Sequence, residues 1–458
     1  MTQHTSGALA PSRSADPKRA GQPTAWRTTW LLLGFMLINF ADKTVLGLSA
    51  TPLMKDMHIT HARYGVASAS FFALFSISAL GVSFLTKRVS STALLLVMAL
   101  LWSAAQLPLL ASNAGFALLI GTRVLLGAAE GPAFPVATHT LFSWFPDRER
   151  SLPMAVLTLG AAAGVAVSAP VLTAVIDSFG WHWAFGLIGL LGLVWAGFWA
   201  KLGGEGPEQL RPAPGATATA TACAGAGADT TESPEVPLRR ILLTGTWISA
   251  ALGAFAVYWQ LSSALTWSAD YFEKGLGVST QKTGLLVMGT GLTSAVVLLG
   301  YGFLAQRLRR RGTGLNRIAL LCGGAMVVSG LSVAGFAATS SLPLKIVLML
   351  GPMTLSNVVL VMAQASCAQI APAKQRGVVL GALAFVYSLA GVLSPLVVGR
   401  LTTDVTDLAA GYRNGYLLTA GLVTMAGLVV LALLRPERDA AGLGTAPGPA
   451  VVPPALVR

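Results

Sequence analysis

Two pairs of ion-forming residues stand inside runs that are otherwise apolar. Asp42 and Lys43 lie in the first hydrophobic run of the chain, and Arg123 and Glu130 lie in LLIGTRVLLGAAEGPAFPV. Arg123 and Glu130 are two helical turns apart, so both side chains leave the same face of a helix. An ionisable group at membrane depth costs about 2.5–3.5 kcal/mol on insertion scales and therefore faces a bundle interior or a water-filled path. Four such groups on two spans imply a polar cavity within a membrane bundle. Their types also define a chemistry. A carboxyl in a low-dielectric cavity beside a cation can be switched between its protonated and ionised forms, which makes Asp42 and Glu130 candidate proton carriers. A guanidinium stays charged and holds a carboxylate through two parallel hydrogen bonds, which makes Arg123 the candidate anchor for an anion, with Lys43 assisting as a point charge. Asn39, one turn before Asp42, is placed to orient that acid. The same residues also admit a static arrangement, Asp42 with Lys43 or Glu130 with Arg123, that only neutralises the site. Arg123 lies near the outer end of its run and equally admits a snorkelling position at the interface.

The elements that must hold these groups are membrane spans. Of the 458 residues, 54% are hydrophobic and 11% charged, with a mean hydropathy of +0.68, against about 25% charged in an average soluble domain. Apolar stretches near the roughly 20 residues needed to cross a bilayer occur at 28–50, 62–86, 92–112, 115–140, 152–176 and 183–202. Six more occur at 241–268, 283–305, 317–338, 342–370, 377–400 and 412–434. The long tenth run contains Gly351-Pro352, where it either continues as one span or bends. The expectation is an all-α membrane protein of twelve transmembrane helices.

The net charge of +13 is sorted by loop. Arg13, Lys18, Arg19 and Arg27, Lys87-Arg88, Arg148 and Arg150, Arg239-Arg240, Arg307 with Arg309 to Arg311, Lys374 and Arg376, and Arg435 with Arg438 all fall on one side. The opposite loops carry fewer bases, mixed with acids: Lys55 with Asp56, Lys274 with Asp270 and Glu273, Arg400 and Arg413 with Asp404 and Asp407. By the positive-inside rule both termini and the central loop are cytoplasmic, which an even number of spans satisfies. The basic excess is thus topological, with attraction to anionic lipid headgroups, and nucleic acid is not an expected partner. Cys223, Cys322 and Cys367 have no CxxC spacing and point to neither a disulfide framework nor a metal site. GxxxxGK[ST], HExxH and GxSxG motifs are missing and the loops are short, so neither an enzyme nor a cofactor is expected. The polar N-terminal segment lacks the apolar core and cleavage signal of a secretory peptide, so the first span is expected to be retained.

Residues 203–238 are rich in Ala, Gly, Thr and Pro and cannot bury enough apolar surface to fold. They read as a flexible cytoplasmic linker between an N-terminal six-helix bundle, 28–202, and a C-terminal one, 239–435, with disordered cytoplasmic tails at 1–27 and 436–458. The halves echo each other. Pro146-Asp147-Arg148-Glu149-Arg150-Ser151 follows the fourth span as Pro372-Ala373-Lys374-Gln375-Arg376-Gly377 follows the tenth, and Gly81 with Lys87-Arg88 matches Gly302 with Arg307 and Arg309 to Arg311. A six-plus-six repeat places a substrate site between the halves near the midplane. Gly160, Gly164, Gly284, Gly289, Gly291 and Gly391 permit close backbone contact, either as plain packing or where the halves slide.

The second half carries almost no charge inside its spans, so its share of a pocket must be neutral and aromatic. Asn357 and Gln364 repeat the two-turn spacing of Arg123 and Glu130 and are candidates to hold hydroxyls or a second carboxyl. Tyr258 and the pair Tyr387-Ser388 are further substrate-binding candidates, with Gln260 and Trp267 behind them.

These residues carry a resemblance. Asn39-Phe40-Ala41-Asp42-Lys43, Arg123-x-x-x-Gly127-x-x-Glu130-Gly131-Pro132-x-Phe134-Pro135, Trp144-Phe145-Pro146, Gly180-Trp181-His182-Trp183-Ala184-Phe185, and Arg376-Gly377 with Gly391 and Pro395 together resemble the major facilitator superfamily. Within it they resemble the anion:cation symporter family, over nearly the whole chain. Departures accompany the likeness. Lys43 stands where that family has Arg, and Ser388 where relatives often have Asn. The loop after the second span, Gly81 to Arg88 through Leu85, has no acid, and Gln306 replaces the usual Asp in the second-half copy.

The resemblance implies two six-helix bundles around a central cavity and a secondary active transporter that works by alternating access. It strengthens the proton-carrying roles of Asp42 and Glu130. The implied function is import of a small organic carboxylate by proton symport, by a monomer in the bacterial inner membrane. Sugar acids, aromatic acids and short hydroxy acids all remain open as cargo. A proton-coupled exporter of drugs or metabolites in the same fold is the alternative, although Gly160-x-x-x-Gly164 with Pro170 lacks the Gly-Pro-x-x-Gly-Gly end of the antiporter motif.

Overall fold

The computed structural model describes residues 22–85, 89–111, 113–146, 149–206, 236–372, 375–403, 405 and 407–445. Residues 1–21 and 446–458 of the expected tails, 207–235 of the expected linker with Cys223, and loop residues Lys87, Arg88, Asp147, Arg148, Lys374 and Asp404 lie outside them.

Where lipid offers no hydrogen bonds, a chain this apolar must satisfy its backbone internally, and here it does so as helix. Eleven segments of the described residues are long and apolar enough to cross a membrane. They are α1 (Thr24–Leu48), α3 (Ser91–Leu110), α4 (Phe116–Phe142), α5 (Leu152–Phe179), α6 (Trp181–Leu202), α7 (Gly245–Gly275), α8 (Thr280–Arg310), α9 (Leu315–Ala338), α10 (Leu342–Ile370), α11 (Arg376–Leu401) and α12 (Leu408–Leu433). The 25-residue helix His61–Leu85 is α2 and completes the twelve. Several starts are capped as the sequence dictates: the side chains of Ser90, Thr244 and Asp407 accept from Ala93, Trp247 and Ala409 N–H. The α5–α6 corner turns on Gly180, whose φ of 90° suits a residue without a side chain.

Two spans are broken at proline. Helix α4 divides between Glu130 and Ala133, at Gly131-Pro132. Span α10 is a helix over Leu342–Leu350, winds as 3-10 over Pro352–Asn357 and resumes as helix from Val358. Proline lacks the donor N–H and clashes with the preceding turn, so the long tenth run is one span with a kinked middle. The carbonyl of Met353 there accepts from Gln260 Nε2 at 2.9 Å and from Ser329 Oγ at 2.7 Å.

Expected boundaries shift in two places. The helix of α7 runs past the expected end at 268 through Asp270, followed by a π-helical turn over Tyr271–Gly275. The segment 436–458 was expected to be disordered from its start, but Pro436–Gly442 is a helix. It is held there because Asp439 accepts from Thr246 N–H at 2.9 Å and Glu437 from Leu315 N–H, which ties it to the starts of α7 and α9.

Spans α1–α6 and α7–α12 form two bundles. Within them α1 packs on α5, α3 on α6 and α9 on α12. Between them the main contacts are α5 with α8 and α2 with α11. These two seams exchange when the halves exchange, as a six-helix repeat demands. Of the small residues, Gly284, Gly291 and Gly391 sit on the seams, facing Thr173, Ala166 and Phe72, whereas Gly160 and Gly164 pack against α1 inside the first bundle.

The first and last described residues share one end of the bundles. There, contacts stay within a half: Arg27 to Leu202 carbonyl in one, Arg435 N–H to Thr246 in the other. The hydrogen bonds that cross between halves, among the described residues, belong to the opposite end: Thr51–Asp270, His61–Asp270, Ala62–Thr403, Ser68–Thr266 and Asp177–Gln281. The halves are therefore sealed at the end away from the termini.

Candidate functional site

The first-half ionisable residues converge. Asp42 and Lys43 from α1 meet Glu130 at the break in α4, while Arg123 lies two turns earlier on α4. Asp42, Arg123 and Glu130 are 0%, 2% and 1% exposed, so Arg123 does not snorkel. Lys43 Nζ pairs with Glu130 Oε2 at 2.8 Å and also donates to Asn39 Oδ1. Arg123 instead donates to Gln106 of α3 at 2.7 Å and lies 5.3 Å over the Phe185 ring of α6. Neither oxygen of Asp42 receives a nitrogen or hydroxyl donor and the Nε of Arg123 finds no acceptor, the Asp42 carboxyl lying instead against that of Glu130. Asp42 nevertheless lies within electrostatic reach of Glu130, Arg123 and Lys43. The ion pair is thus Lys43–Glu130, a combination across two spans that neither spacing within one run anticipates, and Asn39 orients Lys43 rather than Asp42. Gly131 leaves no room beside Glu130: a Cβ there would fall 2.1 Å from the Phe75 carbonyl of α2.

Beside this cluster, between the halves, lies a cavity of about 410 Å³, within the range of small-molecule sites. Phe40, Thr44 and Gly47 of α1 and Ala161 and Val165 of α5 form one wall, and α7 to α10 with α12 form the other. Asp42, Arg123 and Glu130 are not among its lining residues. Lys43 adjoins it: its ammonium lies 4.7 Å over the Phe40 ring, and its side chain retains 13% exposure.

In the second half, Asn357 lines the cavity and donates to Ser294 Oγ at 3.2 Å. Gln364 shares its helix face but lies two turns, about 10 Å, further along and is not a lining residue. Gln260 is one, held between Met353 O and Ser356 Oγ. Tyr258 and Tyr387 meet as tilted rings 5.0 Å apart, with Phe72 of α2 5.9 Å from Tyr258, beside the α2–α11 seam and outside the cavity lining. Ser388 is buried and donates to Phe385 O at 2.8 Å.

Two charged residues of the second half were missed by the expectation of nearly neutral spans. Asp270, expected in a loop, is 1% exposed and accepts from Thr51 at 2.8 Å, from His61 at 3.0 Å and from the Tyr412 phenol. His61 stacks on Trp267, and Trp267 meets Tyr64 edge-on, so this carboxylate is the hub of the sealed end. Lys345, 5% exposed, donates to Tyr271 OH at 3.0 Å and to Phe336 O at 2.6 Å, its ammonium 4.6 Å over the Phe336 ring. The signal for Lys345 was its place inside an apolar run; Asp270 gave none, since the hydrophobic run ends before it.

Twelve spans in two exchanged halves around a central cavity match one family. The model of the Major Facilitator Superfamily fits residues 31–395. The chain belongs to the major facilitator superfamily. It is 26% identical over 398 residues to a D-galactonate transporter of Escherichia coli O6:H1, covering 84% of this chain and 91% of that one. It is 25% identical over 416 residues to a hexuronate transporter of Bacillus subtilis strain 168, covering 87% and 92%. Two solved structures of the superfamily share the fold. A bacterial homolog to the human lysosomal transporter Spinster, inward-facing and occupied, matches with a TM-score of 0.73 at 16% identity over 95% of this chain and 100% of that one. The D-xylose-proton symporter matches with a TM-score of 0.70 at 13% identity over 90% and 99%. As a major facilitator the chain is a multi-pass membrane transporter and not an enzyme.

Proposed function

We propose that this transporter imports a small organic carboxylate together with protons by alternating access. Its relatives are named for D-galactonate and hexuronate, both organic anions, and the site chemistry supports the same class. The observation that carries the reading is the buried Lys43–Glu130 ion pair, with a donorless Asp42 beside it and a cavity one aromatic ring away. An incoming carboxylate competes with Glu130 for Lys43. Glu130, once displaced, is a buried acid without its cation, and burying a charge unpaired is far costlier than burying the neutral acid. Cargo and proton therefore favour each other's binding. Arg123 adds a fixed positive charge behind the pair.

With the basic loops facing the cytoplasm of a bacterial inner membrane, the sealed end faces out and this state opens inward. The monomer suffices for the cycle. The driving force is adequate: about 2.3 kcal/mol per net charge per 100 mV, and about 1.4 kcal/mol per proton per pH unit. The test is a panel of labelled carboxylates offered to proteoliposomes with acid outside. Uptake that a protonophore abolishes is expected. If no carboxylate accumulates while a preloaded compound leaves against the same gradient, the chain is the exporter instead.

A further inference from the structure

The chemistry of the cavity wall narrows the cargo, on the premise that the cargo is a carboxylate. Its walls are mainly aliphatic and aromatic, with Leu48, Val165, Val287, Leu298, Val361 and Phe336 among them. Seven of the ten hydroxyl or amide side chains that line it are already engaged, and Ser263, Ser268 and Tyr416 are the three that are not. Thr44, Thr290, Thr354 and Thr419 donate to carbonyls of their own helices at 2.7–2.9 Å. Gln260 is clamped between Met353 O and Ser356, and Asn357 is turned to Ser294. Among the described residues no acid or base lines the cavity, and Lys43 at its edge lies within one ring of it.

A polyhydroxylated acid placed here would lose the water on each hydroxyl and find few free partners. Every unpaired hydroxyl weakens binding by roughly tenfold. An apolar body loses nothing on entering and is matched by the walls. We infer that the preferred cargo is a monocarboxylate with an apolar, ring-bearing or branched body, its charged end directed to Lys43 and its body filling the space between α1, α5, α7 and α8. This departs from the sugar acids for which the relatives are named.

The experiment is a binding measurement on the full-length purified protein, which avoids leakage of weak acids through a bilayer. Phenylacetate and cyclohexanecarboxylate are compared with gluconate and glucuronate by calorimetry, with thermal shift as a second readout. The apolar pair should bind at least tenfold more tightly. Val287→Asn puts into the wall a side-chain amide that one helix carbonyl cannot satisfy; it should reduce phenylacetate affinity threefold or more relative to gluconate. Gluconate or glucuronate binding as tightly as phenylacetate, or an unchanged affinity ratio in Val287→Asn, overturns the inference while leaving the carboxylate reading intact. Binding of none of the four overturns both.

Discussion

Replacing Gly47 by alanine attacks the seal at its closest point. A Cβ at position 47 would sit 1.8 Å from the Leu265 carbonyl oxygen, whereas ordinary contact begins at 3.4 Å. The two backbones must therefore separate by the difference, about 1.6 Å, or the helices must distort. Parting by that much carries the 2.8 Å Thr51–Asp270 bond and the 2.7 Å Ser68–Thr266 bond out of range, at about 0.5–1.5 kcal/mol net for each bond and more for one to a charged group. Accommodating the methyl by strain instead costs about 1–3 kcal/mol. Either route disfavours the sealed state by about 1–3 kcal/mol, a shift of roughly 5- to 150-fold in the balance of states. Spin labels at Lys55→Cys and Lys274→Cys, both exposed near that end, report the separation by pulsed electron resonance in a background with Cys223 replaced. The expected result is a longer-distance population in Gly47→Ala. Gly121→Ala, where an added Cβ meets nothing within 4 Å, serves as control and should match the parent. An unchanged distance distribution in Gly47→Ala, with the protein folded, refutes the assignment of this contact as the closing surface.

Other expectations follow from the same geometry. Glu130→Gln should abolish accumulation driven by a pH gradient while retaining cargo exchange, read as counterflow in proteoliposomes. Lys43→Met strands Glu130 without its cation and should destabilise the fold by about 3–5 kcal/mol; the double variant Lys43→Met/Glu130→Gln should recover most of that loss in thermal unfolding. Asp270→Asn removes the charge from three hydrogen bonds at the seal and should lengthen the same label distance. At the C-terminal helix, burial alone would raise the carboxyl of Asp439, but hydrogen bonds from Thr246 and Arg438 outweigh it and hold it below the ordinary carboxylate range. Its contribution is therefore present above the usual value near 3.9 and lost as pH falls through the depressed one. Hydrogen exchange at 436–442 should stay slow at neutral pH and quicken only in strong acid, and in Asp439→Asn it should be fast throughout.

Helix was written plainly in this chain because a span must be apolar over its whole length, so composition alone located the twelve crossings. Of the two proline breaks, the sequence marked Gly351-Pro352 as a place either to continue or to bend, whereas the break at Gly131-Pro132 was not anticipated; Pro170 and Pro395, by contrast, lie inside unbroken helices. Pairing was less accessible. Spacing along one run relates Arg123 to Glu130, but the partner Glu130 takes, Lys43, comes from another span whose azimuth is fixed by tertiary packing. Asp270 was read as a loop acid because its neighbours Glu273 and Lys274 are polar; only its burial against Thr51, His61 and Tyr412 reveals what it holds. The cavity's apolar character was hidden too, since its threonines, polar in the sequence, spend their hydroxyls on their own helix carbonyls.

That every hydrogen bond between the halves, among the described residues, lies at one end has a pharmacological corollary. On the proposed orientation, a bulky ligand arriving from the cytosol would wedge the open mouth like a doorstop and halt the cycle, whereas an impermeant compound added outside would stay silent until the far door had swung. Blockers of this carrier should then divide by sidedness, and the lag before an external one acts would time the turnover of the empty protein.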